Sequence, residues 1–224
     1  MRYSYQEYFE RMNSEESWGK PLSALLGALK MQIELGLPSI GGKDSMSGTF
    51  QDINVPPMLM AFGITTVDAR TVISPEFKKA GNKLYLIKHT PLNNYMPDTE
   101  ALKENFSFVS SAIEQGKIIS AYAVGFGGIV EAVSKMSFGN NIGFSSSADL
   151  KENWHLGMWG FIVAELAEDV EIPGVMKIGT TTEEPVIKLD DDVATIEELY
   201  KLHTATLEDV YPTKAKEDKG EIPT

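Results

Sequence analysis

Apolar positions recur at helical spacing in five stretches of the chain and gather into short runs between them. Tyr3 to Met12 carries aromatic residues at 5, 8 and 9, which predicts a short helix. Asn13 to Trp18 is a polar break. From Gly19-Lys20-Pro21 a long helix is expected, with Pro21 in the first turn, where a missing N–H costs nothing. Leu22, Leu25, Leu26, Leu29 and Ile33 follow the i, i+3, i+4, i+7, i+11 pattern of one buried face. Gly36 is a natural C-cap and Pro38 prevents continuation. Pro38 to Ile40 then reads as a short buried strand, and Met58 to Thr66 (MLMAFGITT), apolar almost throughout, as another. Gln51 to Pro57 is irregular and Val67 to Phe77 a connector.

Past Gly81 the pattern changes to strands alternating with helices. Lys83 to His89 is a strand with Leu84 and Leu86 on one face. After a loop from Thr90 to Asp98, Thr99 to Gln115 is a helix with Leu102, Phe106, Val109 and Ile113 inward, ended by Gly116. Lys117 to Val124 is a strand and Ile129 to Phe138 a helix. Asn140 to Ser146, Met158 to Leu166, Val175 to Thr181 and Pro185 to Leu189 are further strands, and Ala194 to His203 is a last helix. The alternation from 82 to 203 makes one α/β unit. Tyr211 to Thr224 has almost no apolar content and reads as a linker or frayed tail.

Two glycine clusters carry the candidate chemistry. The first, Gly41-Gly42-Lys43-Asp44-Ser45-Met46-Ser47-Gly48, follows the long helix and the short strand as a loop. Adjacent glycines let backbone approach a ligand closely. Lys43 can neutralise a phosphate, Asp44 can ligate magnesium or accept a proton, and Ser45 and Ser47 can donate hydrogen bonds. The spacing is not that of a P-loop, because the Lys follows a Gly pair and an Asp follows the Lys. A tight structural turn with a surface Lys–Asp pair fits the same residues. The second cluster, Gly125-Phe126-Gly127-Gly128, opens a helix, where free N–H groups make an anion site. A close crossing of backbone that tolerates only Gly explains it as well. Glu131 is near enough to face a ligand there, or it lies on a solvated face. His89, His155 and His203 lack metal-ligand spacing and read as strand-end or surface residues. Trp18, Trp154 and Trp159 read as packing residues.

Composition narrows the function classes. The 224 residues are enough for one large domain or two small ones, with 42% hydrophobic and 23% charged residues, ordinary values for a globular chain. The formal net charge of -12 argues against nucleic acid, which needs a basic face. Thr181 to Thr224 holds 12 acidic residues against 5 Lys, so more than half of the excess lies in the last fifth and reads as solvated surface. There is no cysteine, which excludes disulfides, thiolate catalysis and Cys-based metal sites and fits a cytoplasmic setting. No apolar run of about 18 residues occurs, so no membrane span is expected, and the first residues lack a signal peptide's apolar core.

Gly19-Lys20-Pro21-Leu22-Ser23-Ala24-Leu25-Leu26-Gly27-Ala28-Leu29-Lys30, the stretch Gly36 to Ser47, Pro56-Pro57 and the strand to Asp68 closely resemble phosphoribosylformylglycinamidine synthase, the amidotransferase of purine biosynthesis. The resemblance continues through Ala121 to Phe144 (AYAVGFGGIVEAVSKMSFGNNIGF), covers most of residues 18–166 and thins beyond. In that family the synthase region has two related halves, each similar to aminoimidazole ribonucleotide synthetase, with an N-terminal and a C-terminal α/β lobe, and a glutaminase domain follows. The resemblance implies an α/β sandwich in which a mixed sheet carries flanking helices. It implies that residues 1–78 are the end of an N-terminal lobe, 79–207 a C-terminal lobe, and 208–224 an acidic linker or tail. The chain is then an excised piece or a separately encoded segment, its partners being the missing N-terminal lobes, the glutaminase domain or a second copy in a homodimer.

The family's reaction activates the amide oxygen of formylglycinamide ribonucleotide by phosphoryl transfer from ATP, with Mg2+, and ammonia from glutamine then displaces the phosphate. By resemblance, Gly41, Gly42, Lys43, Asp44, Ser45 and Ser47 form a nucleotide- and phosphate-binding loop, Asp44 being a metal ligand. Gly125, Gly127 and Gly128 form a loop near the substrate or the nucleotide phosphate. Many relatives carry two Asp in that second loop, where this chain has Ala123 and Phe126, which puts a metal at that loop in doubt. The chain by itself is expected to be folded and inactive, completing a site at an interface. The alternative is a non-catalytic assembly module of the same complex, which the lost Asp positions favour.

Overall fold

The computed structural model describes residues 1–147, 150, 153–168 and 170–214. They form two compact units, one made of Met1–Val72 with Asp98–Lys103, the other of Ile73–Pro97 with the chain from Glu104 onward.

The first unit opens with β1 (Arg2–Tyr8), where the aromatic spacing predicted a helix. A period of two prevails, with Tyr3 and Tyr5 on one face and their rings 5.6 Å apart. Helix α1 (Glu15–Leu35) begins before Gly19, because Ser14 and Ser17 form a reciprocal capping box that recruits the polar break into the helix. Pro21 therefore sits inside the helix rather than in its first turn. Gly36 closes it in the left-handed conformation, φ 67°, as its position requires.

Strand β2 (Ser39–Lys43) follows, then the two-residue strands β3 (Thr49–Phe50) and β4 (Ile53–Asn54), joined as a hairpin, and β5 (Met58–Ile64). The sheet order is β2-β1-β5, with β2 parallel and β5 antiparallel to the central β1.

Burial departs from the sequence pattern throughout this unit. All five residues of β2 are exposed, and so are Met58, Phe62 and Ile64 of β5, although both strands were expected to be buried. The expected inner face of α1 is also open, Leu22, Leu25, Leu26, Leu29 and Ile33 being 47–70% exposed, while Ser17, Pro21 and Ala28 are the buried positions of that helix. Trp18 is exposed as well. The apolar patterning is that of covered faces, and no cover lies within the described part of this unit.

The second unit is built on β6 (Lys83–Ile87), α2 (Thr99–Glu114) from Glu104 onward, β7 (Ile118–Ala123), α3 (Gly128–Phe138), β8 (Gly143–Ser146), β9 (Ile162–Leu166), β10 (Met176–Thr182), β11 (Val186–Leu189), β12 (Asp192–Thr195) and α4 (Ile196–Ala205). Its mixed seven-stranded sheet has the order β12-β11-β8-β10-β6-β9-β7. Both faces of β6 are covered. Leu84 and Leu86 join Ile129, Val133 and Met136 of α3, together with Phe144, Ile178 and Ile196. Tyr85 and Ile87 join Val109 and Ala112 of α2, together with Ile118 and Leu166. Burying each of the Val, Leu, Ile, Phe and Met side chains among these contributes about 1.5–3 kcal/mol, so this unit has the core that the first lacks. Phe106 of α2 is exposed against expectation, while Leu102, Val109 and Ala112 are the buried positions of that helix. The hairpin of β11 and β12 was not anticipated. It turns at Asp190, φ 54°, a conformation that Asp tolerates, within an acidic run read as plain surface.

One acidic side chain is buried within this sheet, on β9 between β6 and the edge strand β7. Glu165 of β9 is fully buried and accepts hydrogen bonds from the Lys78 N–H (2.8 Å), the Lys79 N–H (3.2 Å) and Asn82 Nδ2 (2.7 Å). Burial pushes its carboxyl up, and the three donors oppose that shift. The carboxylate thus fastens the segment entering β6 onto the sheet. Among the described residues, no helix is long and apolar enough to cross a membrane. Of the expected tail at 208–224, residues 215–224 lie outside the described residues.

Candidate functional site

The first glycine cluster is part strand and part loop. Strand β2 runs through Gly41, Gly42 and Lys43, which pair with Ser4, Tyr5 and Gln6 of β1. The two glycines have different reasons. A Cβ on Gly42 would lie 2.3 Å from the Tyr5 carbonyl oxygen, so the close approach of β1 demands Gly there. A Cβ on Gly41 would meet nothing within 4 Å. The turn that follows is tied to β1 and its extension. The Ser45 N–H donates to the Glu7 carbonyl (3.0 Å), the Phe9 N–H to the Ser45 carbonyl (2.8 Å), and the Gly48 N–H to the Phe9 carbonyl (2.9 Å).

This pairing gathers charged groups at one end of the sheet. Lys43 Nζ stands 5.0 Å from the centre of the Tyr8 ring, a cation–π contact. Tyr5, Glu7, Gly42, Lys43 and Asp44 surround an open cavity of about 240 Å³. Burial and the Asp44 charge together raise the Glu7 carboxyl above its ordinary value. Two carboxylates that repel one another favour a cation between them. Glu7, Tyr5 and Tyr8 were not singled out from the sequence, because they lie in a stretch whose aromatic spacing read as helix. Among the described residues, no three acidic, His or Cys side chains cluster as a ready metal cage. Magnesium typically needs only one or two carboxylates beside phosphate oxygens, which Glu7 and Asp44 can provide.

The second cluster lies in the other unit, between β7 and α3. Gly128 has φ +71°, and a Cβ on it would fall 2.5–2.7 Å from backbone atoms of Trp154, His155 and Leu156. Both the conformation and the crossing require Gly. Three amides at the helix start already have partners within the chain. The Gly127 N–H donates to Glu131 Oε2 (2.8 Å), the Gly128 N–H to the Gly125 carbonyl (3.2 Å) and the Val130 N–H to the Trp154 carbonyl (3.0 Å). Glu131 turns back onto the glycine turn and is paired with Lys135 at 2.5 Å. That ion pair first, and the Gly127 amide second, hold its carboxyl below the ordinary range. A carboxylate of the chain itself thus takes the position that an anion would take at this helix N-terminus.

Around this turn the packing expected of tryptophan holds at Trp154 and fails at Trp159. Phe126 is largely exposed and meets Trp159 edge to face, ring centres 4.5 Å apart. Trp159 is exposed rather than packed, whereas Trp154 is buried with Nε1 donating to Asp190 (3.1 Å). His89 does lie past the end of a strand, yet it is buried.

No family model matches the chain. Among curated proteins it is 30% identical over 129 residues to phosphoribosylformylglycinamidine synthase subunit PurL of Thermoplasma acidophilum. That match takes in 50% of this chain and 17% of the relative's length. Among solved structures it is similar to PurL of Thermotoga maritima, with TM-scores of 0.65 for the ATP complex and 0.66 for both the FGAR complex and the PurLQS assembly. Identity there is 13–15%, with 88–98% of this chain and 37–42% of those chains covered. The likeness shows a shared α/β fold of mixed sheets with flanking helices, and this chain spans a part of the longer relatives.

Proposed function

We propose that this chain, whose resemblance to phosphoribosylformylglycinamidine synthase is borne out by its similarity to PurL, is a portion of such a ligase. In this reading it contributes part of a site that converts formylglycinamide ribonucleotide, ATP and ammonia into formylglycinamidine ribonucleotide. The amide oxygen attacks the γ-phosphorus of ATP and ADP leaves. Ammonia then adds at the activated carbon and inorganic phosphate departs. Phosphoryl transfer of this kind depends on positioning and charge neutralisation.

The observation that carries the reading is the grouping of Lys43, Asp44 and Glu7 at one end of the β1–β2 pair, beside a glycine that packing does not require. Lys43 lies at the phosphate end of the nucleotide, with Gly41, Gly42, Ser45 and Ser47 forming the wall beside it. Asp44 and Glu7 would hold magnesium, which supplies charge neutralisation at the phosphates. The Gly125–Gly128 turn borders the substrate as close-approaching backbone rather than as an anion hole, since Glu131 fills its amide. The open apolar face of α1 and β5 is covered by the missing N-terminal lobe, which completes the site.

A second reading makes the chain a non-catalytic assembly module of the same complex. The Glu131 contact and the Ala123 and Phe126 positions favour it. Assay of amidine formation from ATP, ammonia and formylglycinamide ribonucleotide separates the two. The first reading expects no product from the chain alone, product when the remaining synthase lobes are supplied in trans, and at least a tenfold loss with Lys43→Ala. Product from the chain alone overturns it. Full activity of Lys43→Ala in the reassembled enzyme leaves the assembly reading standing.

A further inference from the structure

The second unit holds a cavity that the reading above does not use. It lies between the loop after β6 and the turn before β9, with a volume of about 500 Å³. Its walls include His89, Tyr95, Pro97, Met158, Trp159 and Phe161. Pockets for drug-sized ligands run from about 300 to 1,000 Å³ and are mostly apolar, with a few polar groups that fix orientation. None of the side chains lining this one is formally charged. Tyr95 is 91% exposed, and Trp159 is braced edge to face by Phe126. Large aromatic faces at the mouth of an apolar cavity are suited to stacking on a flat ring.

His89 gives the cavity a second, independent mark. It is 3% exposed, and neither of its ring nitrogens has a hydrogen-bond partner among the described residues. Burying a polar group unpaired costs about 1–3 kcal/mol. A neutral imidazole offers one N–H donor and one nitrogen acceptor. A ligand with a complementary ring N–H or ring nitrogen would recover that cost.

We propose that this cavity binds a small, uncharged, planar nitrogen heterocycle, stacked by Trp159 and Tyr95 and oriented by a hydrogen bond to His89. The charge pattern distinguishes this ligand from a nucleotide. No basic side chain lines the cavity, and the adjoining glycine turn already holds the Glu131 carboxylate. The turn before β9 touches that glycine turn directly, a Cβ on Gly157 falling 3.5 Å from the carbonyl oxygens of Gly125 and Phe126. Phosphates placed there would find the Gly127 amide already taken by that carboxylate. The inference stands apart from the role of Lys43 and Asp44.

Benzimidazole is the probe. The test follows the ring nitrogens of His89 by heteronuclear NMR during titration into the full chain, with calorimetry in parallel. The expected result is saturable binding that shifts a His89 nitrogen and weakens about tenfold with Trp159→Ala, the scale of one lost aromatic contact. His89→Leu is expected to lose binding without lowering the melting temperature, because it removes an unpaired polar group. Trp159 is on the surface, so its variant reports on the site even where His89→Leu fails to fold. No shift at the solubility limit of benzimidazole overturns the proposal. So does a His89 shift produced by ATP and not by benzimidazole. Binding of tetramethylammonium that depends on Trp159 but not on His89 overturns the assigned ligand class.

Discussion

Lys43 and Asp44 could be picked out as reactive residues from their neighbours in the sequence, but Glu7 could not. It comes to them only through the parallel pairing of β1 with β2, and sequence spacing carries no trace of that register. His89 was equally silent, since a lone histidine looks the same in sequence whether its nitrogens are paired or not. At the same scale, Glu76 makes the most strongly shifted surface charge. Its pairing with Lys78 (2.5 Å), then the Ser74 hydroxyl and a backbone amide, lower its carboxyl from 4.5 to about 2. The folded state therefore holds this group ionised more tightly than the unfolded chain does. The stability it contributes is complete above the unfolded value and is lost as pH falls from about 4.5 towards 2. Urea denaturation across that window is expected to show a shallower acid decline for Glu76→Gln than for the natural chain. Identical slopes would show that the ion pair contributes nothing in solution.

At the scale of elements, α2, α3, β6 and β7 were legible because a local period and a covered face agree there. Each lies in a unit that buries its own apolar stripe. In the first unit the two signals part company. The stripe of α1 is as regular as any in the chain, yet Leu22, Leu25, Leu26, Leu29 and Ile33 face outward. Periodicity reports that a face is meant to be covered, not that the cover belongs to the same chain. Strand β1 misled for a related reason: three aromatics at 5, 8 and 9 outweigh an alternation that only its two partner strands make decisive. An exposed leucine contributes little to the fold of the isolated chain. Leu26→Glu is therefore expected to change unfolding free energy by less than about 0.5 kcal/mol. Under the proposed function it is also expected to weaken association with an N-terminal synthase lobe tenfold or more, as sedimentation velocity would report. A variant that unfolds the chain, or that leaves association intact, removes the case for α1 as an interface.

The whole molecule joins a unit with a closed core to one that leaves most of its apolar side chains open, and it matches only part of the length of its relatives. The family resemblance anticipated the α/β class and the mixed sheet from motifs around Gly36 to Ser47 and Ala121 to Phe144. It could not anticipate the filled amide of Gly127, because that depends on where the Glu131 side chain turns. The central claim is that Lys43, Asp44 and Glu7 are the phosphate end of a nucleotide site. Its most direct test is calorimetric titration of Mg-ATP into the chain assembled with the complementary lobe, using the natural sequence and Asp44→Ala. The account predicts saturable, magnesium-dependent binding that falls at least tenfold with Asp44→Ala. Equal affinity of the two proteins for Mg-ATP would contradict it.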